Sequence, residues 1–207
     1  MNMKLPQQDK EFLRAKYKNK VWDLGYYLLA NGVRGDDFEY IMQDGENVNC
    51  TSKKQRQQWL AGAMNRLDER IPAAKVKEIR ERSACCLTGE RHKVAKEIHD
   101  SYSTVDERFE AFSKAHVIIG DTAVKTGENT YRICFWENPP EGGKCFCLGY
   151  IPKEPMPMSW CACCGGHIRH HFETALGVKA ECRCISSQLS SCGKEKCVFE
   201  LRVTEVL

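Results

Sequence analysis

Residues 159–203 read SWCACCGGHIRHHFETALGVKAECRCISSQLSSCGKEKCVFELRV, and this run sets the architecture of the C-terminal part of the chain. Cys161, Cys164, Ile168, Phe172 and Ala175 recur at helical spacing from a start at Ser159, and Gly177 supplies the stop. Residues 178–185 then alternate as a strand, with Ala180, Cys182 and Cys184 on one side. A polar run at 186–191 and a Gly193-Lys194 turn lead into 196–203, where Cys197, Phe199, Leu201 and Val203 share a face. The reading is a helix followed by a hairpin.

Upstream, Tyr131 to Trp136 alternates as a strand and 138–143 is dense in turn formers. Residues 144–150 read as the return strand, so 131–150 is an expected hairpin. Period 2 puts Cys145 and Cys147 on one face, with Phe146, Leu148 and Tyr150 on the other. Gly127-Glu128-Asn129 is a turn, and composition changes near residue 117 with a short β-branched run.

Before that point the pattern is helical. Residues 9–30 read as one helix stopped by Asn31-Gly32, and 35–49 begin with a short helical turn. Thr51 or Ser52 caps a helix with Trp59, Leu60, Ala63, Met64 and Leu67 inward. Pro72 opens another, in which Val76, Ile79, Ser83 and Cys86 share a face until Gly89 breaks it. Helices at 91–100 and after a Ser103 or Thr104 cap complete this part, and His92, His99 and His116 read as ordinary surface or half-buried residues. The fold class is α+β: a helical region at 1–116, then hairpin, helix and hairpin forming an antiparallel sheet at 117–207.

A chain of 207 residues buries a core without disulfide staples. A net charge of +3, with no basic block interleaved with aromatics, argues against nucleic acid as a partner. No apolar run is long enough to cross a bilayer, and the N-terminal residues lack the apolar region of a signal peptide. The expected setting is the cytoplasm, where thiols stay reduced, and an odd count of thirteen cysteines fits a disulfide framework poorly.

Seven of those thirteen cysteines and three of the six histidines fall in 159–203. Cys161-Ala-Cys163-Cys164 holds both C-x-C and C-x-x-C, and Cys145 and Cys147 make a second C-x-C. Cys163, His167 and His170 stand at i, i+4 and i+7 on one helical face. Thiolate and imidazole suit zinc, and all-thiolate sites also suit iron–sulfur clusters, ranked behind zinc here. The candidate metal ligands are Cys145, Cys147, Cys161 and Cys163, with Cys86, Cys164, His167, His170 and Glu173 as additional candidates. The same residues allow thiol chemistry: a cysteine in the first turn of a helix is acidified by the helix dipole, with His167 or His170 as base and Glu173 as orienting carboxylate. That alternative is a thiol-dependent hydrolase; a third is an interaction module with purely structural zinc. Cys134, Cys182, Cys184 and Cys197, alternating on strands, read as small core residues.

Gly193-Lys-Glu-Lys-Cys197-Val-Phe199 resembles the terminal hairpin of 4-vinyl-reductase-type domains and of proteins similar to L-2-amino-thiazoline-4-carboxylic acid hydrolase. The longer order Cys145/Cys147, a proline-bearing connector, Trp160-Cys161-Ala-Cys163-Cys164-Gly165, Phe172-Glu173, 178–181, Ser186-Ser187 and 193–199 resembles an uncharacterised bacterial family of cysteine-rich proteins. The resemblance covers about residues 131–203. It implies an α+β fold around a small-molecule pocket, with zinc held by cysteines and a glutamate in some members. A homodimer is a further candidate assembly.

Overall fold

The computed structural model describes residues 4–48, 51–85, 87–136, 145, 148–149 and 151–207. The chain forms two compact units, Met1–Ser83 and Ala84–Leu207.

The first unit is helical: α1 (Gln7–Lys16), α2 (Asn19–Ala30), α3 (Gly35–Met42), α4 (Lys53–Arg70) and α5 (Ala73–Arg82). The single helix expected over 9–30 is divided. Tyr17 and Lys18 are extended and Asn19 sits at φ 52°, a left-handed conformation that Asn tolerates better than most residues. The apolar spacing survives the break, so Leu13, Tyr17, Val21, Leu24 and Leu28 are all buried. Ser52 caps α4 through a reciprocal capping box with Gln55. Pro72 precedes α5, which ends at Arg82, ahead of Gly89; Cys86 lies outside the described residues.

The second unit contains α6 (Glu90–Ser101), α7 (Val105–Ser113), α8 (His116–Ile119), β1 (Thr122–Lys125), β2 (Thr130–Trp136), α9 (Ala162–Leu176), β3 (Val178–Ser186) and β4 (Cys197–Val206). A 3-10 turn, Met158–Cys161, leads into α9. The sheet is antiparallel throughout, in the order β1-β2-β4-β3. The composition change near residue 117 is not where the compact unit begins. Helices α6, α7 and α8 all pack on α9, so they belong with the sheet layer.

The first hairpin also differs from the expected one. Strand β2 pairs with β1 across the turn at 127–129, and with β4 on its other side, so both flanks of Tyr131 to Cys134 are taken. Of the expected return strand at 144–150, Cys145, Leu148 and Gly149 are outside any strand, and the other positions lie outside the described residues. The second hairpin, β3–β4, follows the alternation read from the sequence: Val178, Ala180 and Cys182 are buried, and Phe199 and Leu201 face them.

The core of this unit is where α9 meets the sheet. Ile168, Phe172, Ala175 and Leu176 join Tyr131, Ile133, Phe199 and Leu201 in one buried cluster. Phe172 stands edge-on to both Tyr131 and Phe112, with ring centroids 5.1 and 5.6 Å apart. Two glycines close the frame. Gly177 ends α9 at φ 70°, and Gly120 ends α8 at φ 82°. A Cβ on Gly120 would press on the backbone carbonyl of Phe135, which cannot swing aside as a side chain would.

Gly120→Ala is therefore expected to lower stability by about 2 kcal/mol or more, from the left-handed backbone and the carbonyl contact together. Gly127→Ala, at a glycine with negative φ and ordinary neighbour distances, serves as the control that leaves the denaturation midpoint nearly unchanged. Equal effects of the two changes in chemical denaturation would refute this account.

Candidate functional site

Helix α9 is sandwiched between the sheet and helices α6 to α8, so residues on several of its sides are buried at once. That geometry forces its histidines inside. His171 is fully buried and His167 nearly so. A buried imidazole needs partners to offset lost hydration, and α6 brings one in His92. The His92 and His170 rings stack with centroids 5.3 Å apart and 19° between planes. His92 Nδ1 lies 3.3 Å from His170 Nε2. His170 Nε2 is also 3.1 Å from the Leu87 carbonyl oxygen, to which it donates when its proton is on that nitrogen. The His171 ring sits 5.0 Å from that of His170 and 4.6 Å from that of His167. One ring nitrogen from each of His92, His170 and His171 lies within 4.8 Å of the other two.

The surroundings favour neutral rings. Burial, then the neighbouring His92, hold the His170 pKa below the ordinary histidine value, against the opposing Leu87 carbonyl and Glu173. Burial and the Arg91 guanidinium do the same for His167, while the carbonyls of Ile118 and Cys85 pull the other way. Neutral imidazole is the metal-binding form.

The sulfurs are distributed differently. Cys161, at the end of the 3-10 turn, and Cys163, in the first turn of α9, are buried. Cys145 is half-buried, its carbonyl accepting from the Gly149 N–H at 2.5 Å. Cys147 lies outside the described residues, as does Cys86. Among the described residues, Cys145, Cys161 and Cys163 do not converge as a ligand group; the three histidines do. Cys164 is half-buried against the core. The Glu173 carboxylate accepts from the Ala180 N–H at 3.0 Å, next to a register shift between Lys179 and Ala180. It anchors the start of β3, and its charge also acts on His170.

A second group of thiols gathers around Cys161. Cys184, on β3, shares a side-chain hydrogen bond with it; that bond, then burial, then the proximity of Cys161, Cys197 and Cys182 raise the Cys184 pKa strongly. Burial pushes the Cys197 thiol up to about 11, opposed by the Gln188 N–H that points at its sulfur at 3.5 Å. Cys182 belongs to the core, with Cys184 and Cys197 packed against it, as expected for strand cysteines.

Sequence reasoning missed His92 and His171. The His170-His171 pair and the His167/His171 i, i+4 spacing were visible signals; the approach of α6 that brings His92 across was not. A cavity of about 610 Å³ lies in the first unit, lined by Phe12, Tyr17, Arg34, Phe38 and Met42 among others. No protein-family model, no curated protein and no solved structure matches this chain.

The raised thiols set a pH dependence. With an ordinary value of 9.0 and a folded value of about 11, Cys197 releases its proton from the unfolded chain first. Its contribution to stability is complete below pH 9.0 and is lost as pH rises toward about 11. Cys184 acts in the same direction. Denaturation midpoints measured across that range should fall with pH, by about 2 kcal/mol for Cys197 alone. Cys197→Ser should flatten the slope; an unchanged slope would remove this assignment.

Proposed function

We propose that this protein binds a divalent transition-metal ion, zinc first among them, through the imidazoles of His92, His170 and His171. The observation that carries the reading is the convergence of three ring nitrogens from α6 and α9 within 4.8 Å of one another. Zinc–nitrogen bonds of about 2.0–2.1 Å set tetrahedral N···N edges near 3.3–3.4 Å, and His92 Nδ1 and His170 Nε2 are already 3.3 Å apart. Nitrogen donors favour zinc over an iron–sulfur cluster. Three imidazoles leave a position for water or an exchangeable ligand, as in reactive rather than sealed zinc sites.

The set Cys145, Cys147, Cys161 and Cys163 is the competing reading for the same metal, supported by its two C-x-C motifs. The thiol-hydrolase reading is supported by the place of Cys161 immediately before α9, beside the Cys184 thiol. Small-molecule binding is supported by the cavity of the first unit, whose volume suits a ligand of ordinary size. For the 4-vinyl-reductase-type likeness, the support is element order: hairpin β1–β2, helix α9, hairpin β3–β4. The cytoplasmic setting rests on the cysteine usage.

Calorimetric titration of metal-free, reduced protein with zinc tests the proposal. One equivalent should bind, and His170→Ala should weaken binding by at least about 100-fold, since even outer-shell partners of a metal site cost about 10- to 100-fold. Cys145→Ser and Cys163→Ser should leave the affinity unchanged. Loss of binding in the cysteine variants, with binding retained in His170→Ala, would hand the metal to the sulfur set.

A further inference from the structure

Apart from the histidines, the densest reactive chemistry in the second unit lies where the 3-10 turn Met158–Cys161 packs against β3. Cys161 closes that turn and stands immediately before α9. Cys184 stands on β3 beside a register shift that falls between Cys184 and Ser186. The two sulfurs share a hydrogen bond, and the Cys184 thiol is also 3.4 Å from the Ser186 carbonyl, to which it donates. Cys161 is 5% exposed, whereas Cys184 is half-buried, so Cys184 is the more exposed residue of the pair. The neighbouring sulfurs are placed for other tasks. Cys182 is in the core and Cys197 receives the Gln188 N–H. Cys192, also half-buried, donates to the Lys153 carbonyl at 3.4 Å.

We propose that Cys161 and Cys184 form an oxidisable dithiol, a modification site at which hydrogen peroxide converts the pair into a disulfide joining the turn before α9 to β3. In the first step the Cys184 sulfur attacks the peroxide O–O bond and takes up a hydroxyl as sulfenic acid, and the other oxygen leaves as water. In the second, the Cys161 sulfur attacks the sulfenic sulfur; the S–S bond forms, the S–O bond breaks, and the departing hydroxide leaves as water with the Cys161 proton. Two thiols and one peroxide give one disulfide and two waters; the sulfurs lose two electrons and the peroxide gains them. The thiolate, not the thiol, is the nucleophile in each step. The cross-link would pin the N-terminal end of α9, the helix that carries His167, His170 and His171.

The test uses the full chain, reduced and then treated with hydrogen peroxide at mildly alkaline pH. Remaining thiols are blocked with N-ethylmaleimide, and disulfides are located by digestion and tandem mass spectrometry without reductant. The expected result is a dominant Cys161–Cys184 link, about 2 Da lighter than the dithiol and restored by dithiothreitol. Cys184→Ser should abolish it, while Cys163→Ser, Cys164→Ser and Cys192→Ser, which between them resolve the cysteines sharing each tryptic peptide, should retain it. The wild-type map decides the matter even if Cys184→Ser folds poorly. Recovery of both Cys161 and Cys184 as maleimide adducts after prolonged oxidation would overturn the proposal. So would a map in which Cys184 is linked chiefly to Cys182 or Cys197.

Discussion

The second unit depends on the seating of α9 between two layers. On one side Phe172, Ile168 and Ala175 bury against Tyr131, Phe199 and Leu201; on others α6, α7 and α8 close over the helix. Full burial of a Phe side chain stabilises by roughly 1.5–3 kcal/mol relative to exposure, so this interface fixes the position of α9 far more firmly than helix propensity does. Gly165 and Gly166 lower that propensity in the middle of the first turns, at a cost of about 1 kcal/mol each relative to Ala. Both are buried, and Gly165 lies close to Cys182 and Phe199 of the sheet, so tertiary packing overrides the local preference.

The same seating explains why polar chemistry ends up inside. A helix enclosed on several sides has no solvent face for all its polar residues, and the HIRHH run places three histidines on it. Their desolvation is offset in part by contact with one another, with His92, and with backbone carbonyls of Cys85, Leu87 and Ile118, while His167 Nε2 is buried with no hydrogen-bond partner among the described residues. Near the N-terminal end of the helix the corresponding role falls to sulfur. Thiols lose less on burial than imidazoles and pack as small apolar groups, so Cys161, Cys182 and Cys184 sit at the helix–sheet junction without the dense network that the histidines need. One helix thus carries a nitrogen-rich site along its length and a sulfur-rich contact at its start. The two differ in chemistry because of what each neighbouring element contributes: α6 offers His92, β3 offers Cys184.

Local signals were legible where they act over a few residues. Helix caps at Thr51 or Ser52 and at Ser103 or Thr104, which the structure places at Ser52 and Thr104, the stop at Gly177, the turn at 127–129 and the alternation of β3 and β4 were readable because backbone satisfaction and side-chain period are local. The break of 9–30 at Tyr17–Asn19 escaped notice because the apolar spacing continues across it. Strand β1, with a single half-buried position among four, carries little pattern to read. The expected hairpin at 131–150 failed for a different reason. Alternation shows that β2 is a strand, but nothing in it names the partner, and β2 pairs with β1 and with β4, the latter more than sixty residues later in the chain.

By itself the sequence determined the α+β class, the helix that holds the histidines, the final hairpin, and the concentration of cysteine and histidine in the last quarter of the chain. These follow from periodicity, caps and composition, which are properties of neighbouring residues. Only the tertiary structure decided which of those side chains meet. His92 reaches His170 across a separation of 78 residues because α6 packs on α9, and Cys161 reaches Cys184 because the turn before α9 packs on β3. Spacing along one helix says which residues share a face. Which foreign side chain that face will find depends on the burial of apolar surface over the whole unit, and no local pattern encodes it.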